Sequence, residues 1–183
     1  LTIDRTNRWL VVANHLASSV VVLPCREDGT LGDVADEFAL VGPTGPRTRD
    51  QPFAKPHQAL FDPSGRVLAV PDKGLDRTFL LELDAETGRL RQAAPPAIAR
   101  PGSGPRHLAF HPTRPLAFVL NELDSTIAAA RFDPAKPELT PFQITPSLPD
   151  DFVHENHAAE IEVSADGRFV YASNRGHDSI GVF

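Results

Sequence analysis

Four stretches of this chain repeat one pattern, and an ionisable residue falls at the same place in every copy. With Ile3, Phe61, Phe110 and Val163 as equivalent points, LTIDRTNRWLVVANH, QALFDPSGRVLAVPDK, HLAFHPTRPLAFVLNE and AEIEVSADGRFVYASNR run in register. Steps of 58, 49 and 53 residues separate the anchors. That period belongs to propeller-type repeats rather than to the shorter helical solenoids. Eleven residues after each anchor stand Asn14, Asp72, Asn121 and Asn174, and twelve residues after stand His15, Lys73, Glu122 and Arg175.

One repeat reads as four short strands. In the second copy Gln58 to Phe61 is apolar, Asp62-Pro63-Ser64-Gly65 is a turn, and Arg66 to Val70 is apolar again. Thr78 to Leu83 follows, then the turn Asp84 to Gly88, with Leu90 to Ala93 as a weaker outer strand. The runs at 67–70, 116–120 and 169–172 are nearly continuous in apolar residues, as strands covered on both faces require. Asp28-Gly29 and Asp166-Gly167 suit tight hairpins. No stretch carries a helical period with caps. The reading is all-β, a β-propeller of four-stranded antiparallel blades at about 1–41, 57–94, 106–145 and 158–183 in one domain.

Composition sets limits. With 41% hydrophobic and 23% charged residues the chain is ordinary for a globular protein. It has no apolar run of membrane-spanning length and no leader-like start. The net charge of −6 argues against a nucleic-acid groove. Cys25 is the only cysteine and cannot form an intrachain disulfide, which mildly favours a reducing compartment such as the cytoplasm; it is read as an inert residue at a strand end. Four copies, the last unfinished, do not close a ring, so further blades or another chain are expected to cover the apolar faces at either end.

Propeller geometry selects the candidate site. The loops leading into each inner strand share a rim with the loops joining the second and third strands. His57 and Arg106 each stand four residues before their anchor, so they are expected on that rim with His15, Lys73, Glu122 and Arg175. Crowding such charges costs desolvation, and function is the usual reason for it. The rival reading makes Glu122 with Arg106 or Arg175 a salt bridge bracing adjacent blades. The Asn/Asp column is better explained by turn formation. His111 is expected as surface structure at a blade's first turn, and strand alternation makes His107 a hydrogen-bonded core histidine pointing away from Arg106.

The cluster His154-Glu155-Asn156-His157 does not read as a metal site, because its histidines are three apart in a proline-bounded loop. Glu155 and His157 are instead expected to shape the pocket. Gly42 to Pro56, with Arg47, Arg49 and Lys55, is expected to be a cationic flap or a disordered loop.

The run Gly102-Ser103-Gly104-Pro105-Arg106-His107-Leu108-Ala109-Phe110-His111-Pro112, followed by Asn121-Glu122-Leu123, resembles the seven-bladed propeller lactonases. That family holds the propeller-type 6-phosphogluconolactonases and the fungal 3-carboxy-cis,cis-muconate lactonising enzyme. Ser164 to Gly176 and Pro56-His57 strengthen the likeness. The resemblance implies a ring of seven blades, of which this chain is the N-terminal-to-middle portion, and implicates His57, Arg106, Glu122 and Arg175.

Opening a lactone needs a base near the attacking water and a positive group near the developing oxyanion. Glu122 and His57 are the candidate bases. Arg106 and Arg175 are candidates for holding the oxyanion or an anionic substituent, because the guanidinium fork binds two oxygens at once. Lys73 and His15 would complete the anion site. No phosphate loop, serine elbow or cofactor fingerprint is present, so neither metal nor organic cofactor is expected. The leading expectation is hydrolysis of an anionic sugar lactone such as 6-phosphogluconolactone. The alternatives are lactonisation of a muconate-like diacid and a non-catalytic binding scaffold.

Overall fold

The computed structural model describes all of residues 1–183. Every regular element is a strand: β1 (Thr2–Ile3), β2 (Trp9–Asn14), β3 (Ser19–Pro24), β4 (Asp36–Ala39), β5 (Leu60–Phe61), β6 (Val67–Asp72), β7 (Arg77–Leu83), β8 (Leu90–Ile98), β9 (Pro105–Phe110), β10 (Leu116–Asn121), β11 (Thr126–Asp133), β12 (Glu138–Pro146), β13 (His157–Val163), β14 (Val170–Arg175) and β15 (Ser179–Val182). They form antiparallel meanders in chain order, three of four strands and a last one of three. The outer strand expected at 90–93 extends to Ile98, and its Pro95 and Pro96 are tolerated because β8 lies at a sheet edge.

The core lies between the sheets. Val11, Val20 and Val22 pack against Leu68, Val70 and Leu81 of the next sheet; Val67, Ala69 and Leu80 pack against Leu108, Ala117 and Val119; Ala109, Leu120 and Ile127 pack against Ala158, Ile161 and Ala172. Alternate residues of β6 thus serve two different cores, which explains its unbroken apolar run. On the last sheet Tyr171, Ile180, Val182 and Phe183 face solvent. No helix is long and apolar enough to cross a membrane.

The residue after each anchor caps the first turn. Asp62 Oδ1 accepts from the Arg66 and Val67 amides at 2.9 and 2.7 Å, and Asp4 Oδ1 does the same for Arg8 and Trp9 at 2.9 and 2.8 Å. Ser164 Oγ takes the place in the fourth copy. His111 takes it in the third, its Nδ1 accepting from the Thr113 and Arg114 amides. The expectation of a surface histidine is therefore corrected: His111 is buried, because its ring replaces a carboxylate as a turn cap and reaches the Gly167 carbonyl of the next blade.

The turns joining second and third strands share a backbone device. Ser18, Asp76, Ser125 and Asp178, each fifteen residues past its anchor, have φ of 59°, 51°, 52° and 54°. These small polar residues tolerate the left-handed conformation that lets the turn lift its second residue to the rim.

A second device tilts the inner strands. His107 pairs with Leu120 but Pro105 with Asn121, so Arg106 is an extra residue on β9. Ile161 pairs with Ala172 but Ala158 with Asn174, so β13 also carries one extra residue, at 159–160. In the second sheet Leu60 pairs with Ala69 while Pro56 bridges Asp72, again a shift of one. Such bulges re-aim side chains that strict alternation would send elsewhere.

Candidate functional site

Glu122 is the centre of the rim. The Gly102-Ser103-Gly104 loop runs beside its turn, with the Glu122 amide donating to Gly104 O at 2.8 Å and the Leu123 amide to Ser103 O at 3.0 Å. Asp76, from the preceding blade's turn, accepts from the Gly102 and Gly104 amides at 2.6 and 2.8 Å. One buried carboxylate thus fastens the loop that delivers Arg106. Gly104 sits at φ +66°, and a Cβ there would come within 2.6 Å of Leu123 Cγ. Gly104→Ala is expected to lose at least about 1–2 kcal/mol from the backbone alone. Urea unfolding measures the loss, and an unchanged midpoint would show that the loop relaxes freely.

Around the carboxylate, Lys73 Nζ lies 3.1 Å from Oε1 and Arg106 Nε 3.1 Å from Oε2. Arg175 Nη2 and His157 Nδ1 stand 3.6 and 3.5 Å from Oε1. Arg106 Nε is off the line of a hydrogen bond and sealed from solvent, so its contact is one of charge. Arg106 Nη1 donates to Ala159 O. Burial would raise the Glu122 carboxyl, but Lys73, Arg106 and Arg175 together hold it below its ordinary value.

A chain of rings adjoins this cluster. His15 and His57 meet edge to face with centroids 5.0 Å apart, as do His57 and His107. His57 Nδ1 and His107 Nε2 share a hydrogen bond of 3.1 Å, and His107 Nδ1 lies 2.6 Å from Glu160 Oε1. His15 Nδ1 donates to Pro56 O at 3.3 Å. Burial, then Arg106 and the two neighbouring imidazoles, pushes His57 down to about 3, so it is neutral at any working pH. Burial also lowers His15, with Lys73 adding to it, and lowers His107 against the pull of Glu160.

The structure therefore gathers Lys73, Arg106, Glu122, Arg175 and His157 at one point and His15 and His57 beside it. Arg106 and Arg175 both face Glu122, on opposite oxygens of its carboxylate. His107 is hydrogen-bonded and largely buried, as expected, but its direction is corrected: the bulge at Arg106 breaks the alternation, and His107 joins His57 beside the rim instead of turning into the blade. His107 and Glu160 are members that sequence reasoning missed, because nothing in the residue pattern marks a bulge.

Glu155 is exposed and touches none of these groups; it lines an adjoining cleft of about 450 Å³ with Arg47, Arg49, Asp50, His154 and His157. His154 packs on Phe152 while His157 turns to Glu122, so the two histidines have separate partners. The segment 42–56 is pinned rather than loose. Gln51 is 1% exposed, its Nε2 donates to Lys73 O and Asp76 Oδ1, and its Oε1 accepts from the Arg47 amide. Arg47 and Arg49 are thus carried to the cleft wall by a buried amide that composition does not reveal.

In the Asn/Asp column, Asp72 Oδ1 accepts from the Lys55 and Leu75 amides and Asn174 bonds Ser147 and Asn156. These are turn and interblade ties.

Fold and site together define a β-propeller with a cation-lined, imidazole-bearing mouth. The family described as Lactonase, 7-bladed beta-propeller matches residues 1–183, and the chain belongs to it. It is 37% identical to the 6-phosphogluconolactonase of Bacillus subtilis (strain 168), over 100% of this chain and 51% of that protein. A crystal structure from Lactobacillus plantarum aligns with TM-score 0.92 at 32% identity, over 99% of this chain and 51% of the other. The periplasmic gluconolactonase of Pseudomonas aeruginosa aligns with TM-score 0.88 at 32% identity, over 99% and 51%. The chain thus spans about half the length of the relatives it matches, and its four sheets are blades of a seven-bladed architecture.

Proposed function

We propose that the whole protein hydrolyses an anionic sugar lactone at the mouth described above. The observation that carries this is the convergence of Lys73, Arg106 and Arg175 on Glu122, next to neutral His57. Three cations against one carboxylate leave positive charge in excess, which suits a substrate phosphate or carboxylate and a developing oxyanion. Glu122 keeps the cations in register. Glu122 and His57 are the groups able to take a proton from water. No step requires a cofactor, and the names of the relatives support sugar-lactone chemistry while differing over whether the sugar carries phosphate.

The test compares 6-phosphogluconolactone, gluconolactone and a carboxylated muconate with the whole protein, each against its spontaneous rate. Acceleration of the phosphorylated lactone above the neutral one is expected. Turnover of the muconate alone would move the reading to lactonisation, and no acceleration of any would leave a binding scaffold. Arg175→Lys keeps the charge but loses the fork, so kcat/KM is expected to fall about tenfold to a hundredfold with little change in melting temperature. A fall in melting temperature with unchanged kcat/KM would make Arg175 a brace.

A further inference from the structure

Four side chains run in series across the four blades: His15 from the turn after β2, then His57, His107 and Glu160 from the inner-strand segments of the next three. Glu160 presents a carboxylate, which accepts hydrogen bonds and has none to give. At 2.6 Å from Glu160 Oε1, His107 Nδ1 must therefore carry the proton. A neutral His107 then has a bare Nε2, which accepts across the 3.1 Å contact from His57 Nδ1–H. With its proton on Nδ1, His57 has a lone pair on Nε2. That atom makes no hydrogen bond within the protein and is not among its occluded polar atoms.

We propose that His107 and Glu160 are positioning residues that fix the tautomer of His57, making its Nε2 the proton acceptor of the reaction. This rests on the lactonase reading above. Water attacks the lactone carbonyl carbon, and its proton passes to His57 Nε2 as the carbon–oxygen bond forms. The Nδ1 proton of His57 moves to His107 Nε2, and the positive charge comes to rest on an imidazolium against Glu160. When the tetrahedral intermediate expels the ring oxygen, the sequence reverses and His57 Nε2 returns a proton to the departing alkoxide. The acyl carbon–oxygen bond is broken and the elements of water are added across it.

The alternative acceptor is poorly placed. Glu122 has Lys73, Arg175 and His157 crowded on Oε1 and Arg106 on Oε2, and its side chain is only 8% exposed, so its oxygens are already taken up by the cations. His57 faces Arg106, His15, His107 and Glu122, and a lone imidazole so placed would resist protonation. His107 faces Arg106 too, but it alone of the three rings has a carboxylate bonded to it. The relay carries the charge past Arg106 to that carboxylate. The bulges of β9 and β13 are what bring His107 and Glu160 into line.

Glu160→Leu and Glu160→Gln are the paired variants. Leucine takes away the acceptor at His107 Nδ1, so nothing holds the proton there and His57 loses its fixed tautomer; glutamine keeps an acceptor in its amide oxygen but removes the charge. Nitrogen-15 NMR of the whole protein should show His57 protonated at Nδ1 in the parent and a mixture of tautomers in Glu160→Leu. In the lactonase assay kcat should fall about a hundredfold in both variants with KM nearly unchanged, and Glu160→Asp should recover part of it. A parent His57 protonated at Nε2, a Glu160→Leu variant with unaltered tautomer, or a Glu160→Gln variant with unaltered kcat would overturn the relay. The NMR reading does not depend on activity, so the expected tautomers in a protein that opens no lactone would sink the functional reading and with it the acceptor role, while sparing the positioning.

Discussion

Replacing Glu122 by glutamine is expected to lower turnover per folded molecule by about two to three powers of ten. The shape survives, but Lys73, Arg106 and Arg175 lose the charge that holds them in one geometry. Glu122 and its two nearest cations are all largely buried, with side-chain exposures of 8%, 13% and 13%. Removing one partner of such a set also destabilises the fold, by about 3 kcal/mol. Turnover and unfolding free energy must therefore be measured on the same samples. Inorganic phosphate adds a third reading: with no carboxylate between the cations, it should raise the melting temperature of Glu122→Gln more than that of the parent. A variant that is merely less stable, with turnover per molecule intact and no gain from phosphate, would reduce the whole cluster to an interblade brace.

The second large effect lies beneath the rim, at Asp72. Burial pushes this carboxyl up to about 6, against the amides of Lys55, Leu75 and Gly74, and neighbouring Asp76 adds to the rise. Its Oδ2 is sealed and has no partner. Because the folded state holds the proton more tightly than the unfolded chain, Asp72 favours folding at acid pH, and that contribution is lost as pH rises from about 4 through about 6. The other three copies have asparagine here. Asp72→Asn keeps the acceptor for Lys55 and Leu75 and removes the titration. The stability difference between variant and parent should therefore shift by roughly 2 kcal/mol in the variant's favour between pH 4 and pH 8. Chemical denaturation at both pH values gives the number, and a gap that does not move with pH would show that Asp72 titrates normally.

The repeat spacing made much of this legible. Anchors at Ile3, Phe61, Phe110 and Val163 fixed which residues share a height in their blades, and the column of His15, Lys73, Glu122 and Arg175 reached the rim because every turn has the same length. What stayed hidden depends on backbone detail. His107 was assigned to the blade interior by counting in twos, which fails wherever one strand holds an extra residue. Glu160 lay in an unremarkable run, AAEIEV, and became visible only through the bulge of β13. Gln51 and Asp76 act through buried bonds to backbone atoms far along the chain, which composition does not encode. His111 misled because a histidine did the work that aspartate does in two other copies.

The inner-strand bulges make part of this site a matter of counting rather than of chemistry. A substitution at Arg106 deletes one guanidinium and leaves its neighbours where they were. Removing Pro105 would instead restore strict alternation to β9, with Arg106 opposite Asn121 and His107 opposite Leu120, like a frameshift confined to one strand. Two consecutive residues of a regular strand point to opposite faces, so only one of the pair would keep its place at the rim. The pairing of 107–110 and the cores between blades lie below that point and would survive it. A one-residue deletion there should yield a protein that is folded but keeps only half of that pair at its mouth.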